Sequence, residues 1–545
     1  MLRLEGTPED RQRNHGALLG KELSRAPLEY FAKKALDPVR SMPRPVKWIT
    51  EKIMNFGVRL LHHSTPPYLA REIDAFAQGA GMNAIDVRRA MSVPDIAAFL
   101  VKWSANSMLD WIPTAGCTSV AKRFSTGGFV YGRNLDFAGA LTWDAHPLLT
   151  IHIPPKNSSE IKHIAFGADG AGFSGITGLN EAGITFAVHQ NYSRVANLGG
   201  VPMFMIGDAV LRSAHTLEEA VALLKELRPS PLWTFVVTDL NTGRALAIET
   251  AEKGFAVREM IDDRFAQTNH LQTPEFIPFE HISMGTKYNS KYRFDFAMKK
   301  LAAIQNSDEP RAIQKVAEIL SYQKSLQGNL TAYHDVIKAH TIQTVLFQQQ
   351  KGTTKVLMSM DQAPTASGVF AEFQAKDLWN FTKALGFHST TPTHFSVSIR
   401  TKQRAISRAF AKYFDDHDRI AAISELADQD SLDAKLFTAT ALYQEKDYDR
   451  AHSVAKSALE EPRFLTEPKQ ILESLERVDL LSLWQSGQHE AAKLAAEKIL
   501  ARPLQARPGL HNLAKSLVKN GSPSWKQKKL TFEFFSGDLG GITEP

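Results

Sequence analysis

The spacing of hydrophobic residues changes twice along this chain, near residues 112 and 400, and divides it into three stretches. The outer stretches carry apolar residues at helical intervals, whereas the middle stretch consists of short strand-like runs separated by turn sequences. Two of these runs, 117–124 and 129–137, flank a Ser-Thr-Gly-Gly turn and predict a β-hairpin. Hairpins, rather than a strict alternation of strand and helix, favour an α+β fold over a doubly wound sheet.

The outer stretches predict two different helical regions. In the first hundred residues, one helical face carries Leu69, Ile73, Phe76 and Ala80. The last stretch contains two similar helical hairpins, in which Tyr448 and His489 occupy matching positions 41 residues apart. Because a regular tetratricopeptide array repeats every 34 residues, this segment is only tetratricopeptide-like. It could bind a protein partner, mediate self-association or simply pack on the core.

Size and composition exclude several classes of protein. A chain of 545 residues with 43% hydrophobic and 22% charged residues is expected to form two or more globular domains. The net charge of +6 is too weak a field to indicate nucleic-acid binding. The first 60 residues hold 12 basic and 7 acidic side chains, which we interpret as a solvated basic face. No transmembrane segment and no signal segment are recognisable, so the expected location is the cytoplasm, although a secreted or periplasmic form is not excluded.

Cys117 is the only cysteine of the chain. A single cysteine excludes an internal disulfide, a thiolate metal cluster and a CxxC redox pair. The 18 histidines form no motif with metal-ligand spacing, and the G-x-G-x-x-G match at 170–175 is followed by turn-forming residues rather than by a helix. The sequence therefore predicts neither a metal nor a cofactor. Cys117 is either an ordinary buried side chain or the reactive atom of the protein.

Arg133 and Asp136 lie on the returning strand of the hairpin that Cys117 begins. Cross-strand neighbours are close in space, so both side chains are expected near the sulfur. A guanidinium favours the thiolate, and a carboxylate can hold a protonated amine. The alternative interpretation is a surface ion pair on an edge hairpin.

Two further polar groups follow the strand region. Thr268-Asn269-His270 comes directly after a strand, where the Asn269 amide could stabilise an oxyanion. Arg293 lies near the start of a helix, where it could bind a substrate carboxylate or merely decorate the first turn.

Together these residues resemble the cysteine branch of the N-terminal-nucleophile (Ntn) hydrolases, and most closely the penicillin acyltransferase (acyl-CoA:6-aminopenicillanic acid acyltransferase) family. Choloylglycine hydrolase and acid ceramidase are related members of this branch. The resemblance covers residues 4 to 375 and rests on the order of five short motifs: Gly116-Cys117-Thr118-Ser119, Gly132-Arg133-Asn134-Leu135-Asp136-Phe137, Gly178-Leu179-Asn180-Glu181-Ala182-Gly183-Ile184, Thr268-Asn269-His270, and Ser290 with Arg293.

The resemblance implies a fold and a division of the chain. It implies a four-layered αββα sandwich and a precursor that cuts itself between Gly116 and Cys117. Residues 1–116 would form a helical leader that is released or retained, and residues 117–400 the catalytic domain. Residues 401–525 would form the all-α, tetratricopeptide-like segment, and residues 526–545 a C-terminal tail.

The resemblance also implies roles for the motif residues. Cys117, as a new amino terminus, would use its own α-amine as general base, because the ordinary pKa of that amine is near neutrality. Arg133 and Asp136 would set the electrostatics around the sulfur, Asn269 would donate to the oxyanion, and Arg293 would support the site or bind substrate charge.

The second oxyanion donor is open among three neighbours, His189, Gln190 and Asn191, and we favour Gln190. Successive side chains of a strand point to opposite faces, so a shift of one residue in strand register would turn a different side chain towards the site.

The function predicted on this basis is a self-processing amidohydrolase or acyltransferase. It would cleave a non-peptide or linear amide, such as an acylated small amine, through a thioester on Cys117. One alternative is a papain-like hydrolase that pairs Cys117 with His270 without self-cleavage. The other is a helical-repeat adaptor whose sheet domain is inert.

Overall fold

The structure, a computed structural model, describes residues 1–37, 42–101, 116–171, 175–197, 199–282, 284–323, 335–379, 387–462, 469–502, 508–524, 527–528 and 530. The interior of the glycine-rich motif at 170–175, the residues just before Gly116 and most of the predicted C-terminal tail lie outside these ranges.

Two β-sheets form the centre of the protein. The eight-stranded sheet has, in spatial order, β1 (Leu2–Glu5), β4 (Pro147–Ile153), β5 (His163–Ala168), β6 (Thr177–Asn180), β7 (Ile184–Gln190), β8 (Trp233–Asp239), β9 (Arg244–Thr250) and β10 (Phe255–Glu259). The seven-stranded sheet has β11 (Arg264–Gln267), β2 (Gly116–Arg123), β3 (Phe129–Asp136), β12 (Thr341–Gln350), β13 (Thr353–Ser359), β14 (Phe370–Gln374) and β15 (His388–Thr390). Only the β1–β4 pair among these strands is parallel.

The helices fall into three groups along the chain. Those before the first hairpin are α1 (Pro8–Leu18), α2 (Ala26–Lys34), α3 (Arg44–Leu61), α4 (Pro67–Ala80), α5 (Ala84–Met91) and α6 (Val93–Val101). Those among the strands are α7 (Met203–Ser213), α8 (Leu217–Glu226), α9 (Met284–Ala303), α10 (Ala312–Leu320) and α11 (Ala375–Trp379). Those at the end are α12 (Val397–Phe414), α13 (Arg419–Glu425), α14 (Leu432–Gln444), α15 (Tyr448–Leu459), α16 (Lys469–Gln485), α17 (His489–Leu500) and α18 (Pro508–Asn520).

This arrangement confirms the α+β prediction at the level of two sheets with many helices. The predicted hairpin is β2–β3, paired from Gly116 with Asp136 to Arg123 with Phe129. Among the described residues, no helix has the length and apolar character needed to cross a bilayer.

The inner faces of the two sheets share one hydrophobic cluster. Tyr131 and Phe347 of the seven-stranded sheet stack with ring centroids 5.7 Å apart, and Phe166 of the eight-stranded sheet meets Phe347 edge-on at 5.6 Å. Alternate side chains of a strand point to opposite faces, so each sheet has a second face to cover.

Helices cover the outer faces. On the eight-stranded sheet, α7 and α8 pack together with the earlier helix α4. On the seven-stranded sheet, α9 packs against β11 and β2, and α10 packs against β3 and β12. Gly132 of the Gly-Arg-Asn-Leu-Asp motif allows α10 to approach, because a Cβ there would lie 2.5 Å from Val316 Cγ1.

The first helices are tied to the sheets by buried charges. Arg212 of α7 donates to Glu72 of α4 at 2.7 Å, and both side chains are almost fully buried. Arg11 of α1 donates to Glu160 at 2.8 Å. Breaking a buried ion pair leaves an uncompensated charge and typically costs about 3–5 kcal/mol, so α1 and α4 are firmly attached to the sheet region.

The last helices have their own core and also contact the first part of the chain. One hydrophobic cluster runs through α12–α18. Tyr30 donates to Asp415 at 2.6 Å, Lys34 donates to the Phe414 carbonyl at 2.9 Å, and Ser407 donates to the Ala339 carbonyl at 2.6 Å. The helical segment therefore packs on the sheet region and on α2.

Candidate active site

The β2–β3 hairpin places Cys117 between two charged side chains. Ser119 pairs with Arg133, two residues along from Cys117, so Arg133 lies diagonally across from Cys117 on the same face. Its Nη2 is 3.7 Å from the Cys117 Sγ. Asp136 pairs with Gly116 on the opposite face.

Arg133 is held rigidly beside the sulfur. Its guanidinium donates to the carbonyls of Ile176 and Val188 and to the Thr177 hydroxyl, and the side chain is buried. Burial raises the pKa of the Cys117 thiol above its ordinary value, and Arg133 offsets this only in part. The neutral thiol is therefore favoured, and forming the thiolate would require a proton acceptor.

Asp136 is fully buried and has one oxygen directed towards Gly116. Its Oδ1 accepts a hydrogen bond from Thr341 at 2.7 Å. Its Oδ2 has no hydrogen-bond partner among the described residues and lies 3.0 Å from the place of a Cβ on Gly116. Burial raises the pKa of Asp136 to about 6, although Arg293, Thr341, Lys338 and Arg133 all lower it.

The alternative of a surface ion pair on an edge hairpin is wrong. β2 and β3 lie inside the sheet between β11 and β12, and Arg133 and Asp136 are both buried. No salt bridge joins the two side chains in the described part of the chain. They act on the cysteine separately, from opposite faces of the strand.

Asn269 fixes the backbone of Cys117. Its Oδ1 accepts from the Cys117 N–H and from Arg293 Nη2, each at 2.8 Å. Because both partners are donors, the amide oxygen must face them. The Asn269 Nδ2 donates to the Gln190 carbonyl at 3.0 Å, which uses one of its two hydrogens.

Arg293 is a buried side chain bonded to the start of β2 rather than an exposed helix decoration. It is buried on α9 and donates to the Cys117 carbonyl at 2.7 Å and to the Thr118 hydroxyl at 2.8 Å, in addition to Asn269. Its Nε donates to Asn289 at 2.9 Å. Each guanidinium nitrogen has a protein partner, so Arg293 braces the start of β2.

Ser290 and Thr341 were not predicted to have these roles. The Ser290 Oγ accepts from the backbone N–H groups of Asn269 and His270 at 2.8 and 2.9 Å, which orders the Thr-Asn-His turn. Thr341 bonds Asp136, and it begins β12, whose pairing with β3 no local sequence signal specifies. The sequence placed Ser290 and Arg293 near the start of a helix, and this was wrong: α9 begins at Met284, so both residues lie in its middle.

The structure separates the three candidates for the second oxyanion donor. Gln190 lines the same cavity as Cys117. His189 points to the opposite face, where its Nε2 lies 2.8 Å from the Ser119 Oγ. Asn191 accepts from Thr234 and donates to the Asn269 carbonyl, and it does not line the cavity. The strand period therefore favours Gln190.

His270 has partners other than the cysteine. Its Nδ1 lies 2.9 Å from the Ser290 Oγ and 3.2 Å from the Thr268 Oγ1. Burial and the nearby Arg293 and Lys291 lower the pKa of His270 to about 3. No hydrogen bond to Cys117 occurs among the described residues, so the papain-like pairing has no support in the geometry.

An apolar cavity of about 90 Å³ opens at Cys117. This is several times the volume that one water molecule requires. The early helices supply part of its wall and the sheets supply the rest: Pro27, Leu28, Phe31, Ala90, Met91, Pro94, Leu135, Phe137, Trp143, Gly170, Ala171, Ile176, Val188, Gln190, Met203, Phe204, Trp233 and Ile342. Apart from Cys117, Gln190 and the two tryptophan N–H groups, the lining side chains are apolar. In the described part of the chain, no group of three or more His, Cys, Asp or Glu is placed to hold a metal ion.

One family model and one solved structure are similar to parts of this chain. Among solved structures, a Caenorhabditis elegans N-acylethanolamine-hydrolyzing acid amidase (NAAA) ortholog is similar, with 17% identity, a TM-score of 0.28, and coverage of 42% of this chain and 92% of that one. No curated protein matches the chain. The model of a family described as acyl-coenzyme A:6-aminopenicillanic acid acyl-transferase matches residues 124–362, which include Arg133, Asp136, Asn269 and Arg293. Over these residues, the chain is similar to the acyl-coenzyme A:6-aminopenicillanic acid acyl-transferase family.

Proposed function

We propose that this protein is a self-processing Ntn amidohydrolase or acyltransferase that uses Cys117 as its nucleophile. The observation that carries the proposal is the position of Cys117. Its sulfur lies beside Arg133, its backbone is held by Asn269 and Arg293, and it faces an apolar cavity. An ordinary core cysteine would not require three buried polar side chains around its main chain and sulfur.

We also propose a four-layered sandwich for the catalytic domain and a tetratricopeptide-like fold for the helical segment after it. Two sheets that share a core and carry helices on their outer faces support a four-layered αββα sandwich. The helix pairs α14–α15 and α16–α17, whose second helices begin at Tyr448 and His489, support a tetratricopeptide-like tail. We assign residues 1–116 to the leader, 117–400 to the catalytic domain, 401–525 to this helical segment and 526–545 to a C-terminal tail.

Self-cleavage would begin with attack of the Cys117 Sγ on the carbonyl carbon of Gly116. The peptide C–N bond breaks, the acyl group moves to sulfur as a thioester, and the thiol proton goes to the released α-amine. Water then hydrolyses the thioester and leaves Gly116 with a free carboxylate. The unpartnered Oδ2 of Asp136 lies beside this bond, where it can accept a hydrogen bond from the new amine.

Hydrolysis of a substrate amide would follow the same steps of thiol attack, thioester formation and thioester hydrolysis. The α-amine of Cys117 takes the thiol proton, sulfur attacks the amide carbonyl, and the leaving amine departs with that proton. The second hydrogen on Asn269 Nδ2 and the Gln190 side chain are the proposed oxyanion donors. Water, or an acceptor amine in a transferase, then removes the acyl group.

The cavity supports an apolar acyl group as the substrate portion that binds beside the sulfur. An apolar wall binds apolar surface and offers no partner for a charged group, whose burial without a counter-charge would be costly. We therefore propose a linear amide of an apolar acid as the substrate class, with hydrolysis as the reaction.

The test uses the fact that Cys117 is the sole thiol. The protein is mixed with amides of graded acyl length, quenched in acid and analysed by intact mass. We expect a hydroxylamine-labile adduct of one acyl group on the chain that begins at Cys117, together with loss of the titratable thiol. Cys117→Ala, the matched control, should form no adduct. Amide turnover by protein whose thiol has been fully alkylated would overturn the proposal.

A further inference from the structure

Helix α3 exposes an unusual concentration of large apolar side chains. Trp48, Ile53 and Phe56 are 62%, 64% and 60% exposed, and Val46 and Ile49 are also exposed. Single exposed apolar residues are normal on a protein surface, but five within eleven residues of one helix form a contiguous surface.

These residues form a stripe along the helix. Val46, Ile49, Ile53 and Phe56 are spaced by three or four residues and therefore lie on one face. The helix packs on the protein through a different face, where Val58 and Leu61 are buried. The stripe consequently has no partner within the described part of the chain.

A row of basic side chains runs beside the stripe. Arg44, Lys52 and Arg59 are exposed on the adjacent face, and the Lys52 Nζ lies 5.6 Å from the ring centroid of Trp48. Glu51 is the only acidic residue of α3. An apolar stripe with a tryptophan and a flanking basic row is the pattern of helices that lie in the surface of an anionic membrane.

The helix is also connected to the cavity at Cys117. Arg89 of α5 donates to Asn55 of α3 at 2.7 Å, and the following residues of α5, Ala90 and Met91, line the cavity. His62, at the end of α3, lies within hydrogen-bond distance of Ser92 at 2.8 Å. The surface of α3 and the cavity wall are thus two sides of the same helical layer.

We propose that α3 is a docking surface for anionic lipid bilayers, which the protein binds peripherally and in the plane of the interface. Charge complementarity selects this occupant over a second copy of the chain, because pairing two such surfaces would bring their basic rows together. If the proposed function is correct, an amphiphilic amide dissolved in the bilayer would lie close to the cavity that opens at Cys117.

The test is flotation of the purified full-length protein with two kinds of vesicle, phosphatidylcholine alone and a mixture of phosphatidylcholine and phosphatidylserine. We expect binding to the mixed vesicles that weakens as salt is raised. One variant replaces four of the five exposed apolar residues of α3 together (Trp48→Ser, Ile49→Ser, Ile53→Ser and Phe56→Ser). It should lower the partition constant for the vesicles by about 100-fold or more. Replacing Arg44, Lys52 and Arg59 by Gln should lower it by about 50-fold on the mixed vesicles and hardly at all on neutral ones.

Two controls keep the result interpretable. Val397→Ser with Ile420→Ser removes exposed apolar side chains elsewhere and should leave binding unchanged. Cys117→Ala should bind like the parent, so membrane binding is measured independently of self-cleavage and hydrolysis. Failure of the parent to bind mixed vesicles, equal binding by the four-residue variant, or a dimer in solution that this variant abolishes would overturn the proposal.

Discussion

Replacing Asp136 by Asn should change how the stability of the protein depends on pH. Asp136 is completely buried, and burial raises its pKa to about 6 from an ordinary value of 3.8. In the unfolded chain the carboxyl group ionises near its ordinary value. Between these two values the folded state therefore binds more protons than the unfolded state, and stability falls as pH rises.

The magnitude follows from the two pKa values. Their difference corresponds to about 3 kcal/mol of unfolding free energy. The protein with Asp136 loses this stability between about pH 4 and pH 7, whereas the Asp136→Asn variant does not lose it. Asp136→Asn should thus become more stable, relative to its parent, by about this amount as pH rises. The effect is a sizeable fraction of the total stability of a typical domain, which is about 5–15 kcal/mol.

The assay is equilibrium chemical unfolding at several pH values, followed by tryptophan fluorescence. Both chains carry Cys117→Ala, so that neither is cut and no new amine titrates beside Asp136. Asp295→Asn, on the exposed side of α9, corrects for the loss of one carboxylate from the net charge. A stability difference that stays constant across this range, or that moves against the variant as pH rises, would refute the burial of an incompletely compensated carboxyl group beside Gly116.

Three further substitutions test the roles of single groups. Arg293→Met leaves the acceptors at Cys117, Thr118 and Asn269 without their donor. It should therefore lower the unfolding free energy by about 3 kcal/mol and slow self-cleavage. The control, Arg311→Met at an exposed position, should have neither effect. Ala171→Leu adds side-chain volume to the cavity wall. It should reduce kcat/KM for the longest acyl groups by about 10–100-fold and leave kcat/KM for short acyl groups unchanged. Its control is Ala491→Leu, on the exposed side of α17. His270→Gln should change the rates of cleavage and hydrolysis by less than about threefold, because His270 does not contact the sulfur; a loss of about 1000-fold would restore the papain-like mechanism.

The hairpin was predictable because its signals are local. The Ser-Thr-Gly-Gly turn sets the register of β2 and β3, and that register places Arg133 and Asp136 beside Cys117 and Gly116. The buried helical face of α4 was predictable for the same reason, since it depends on residues within a few turns of one helix.

The remainder of the site depends on long-range contacts that no local pattern encodes. Thr341 reaches Asp136 because β12 pairs with β3 across about two hundred residues of sequence. The contribution of Phe31 and Met91 to the cavity wall requires knowing how the early helices pack on the sheets. Placing Gln190, rather than its two neighbours, on the cavity wall required the register of β7, which a shift of one residue would have reversed.

The central claim is that Cys117 becomes an amino terminus by cleavage of its own peptide bond. Denaturing electrophoresis and intact mass of freshly purified protein, beside Cys117→Ala, test it most directly. We expect fragments of 116 and 429 residues in the parent and an intact chain of 545 residues in the variant. A parent that stays full-length and still hydrolyses amides would contradict it.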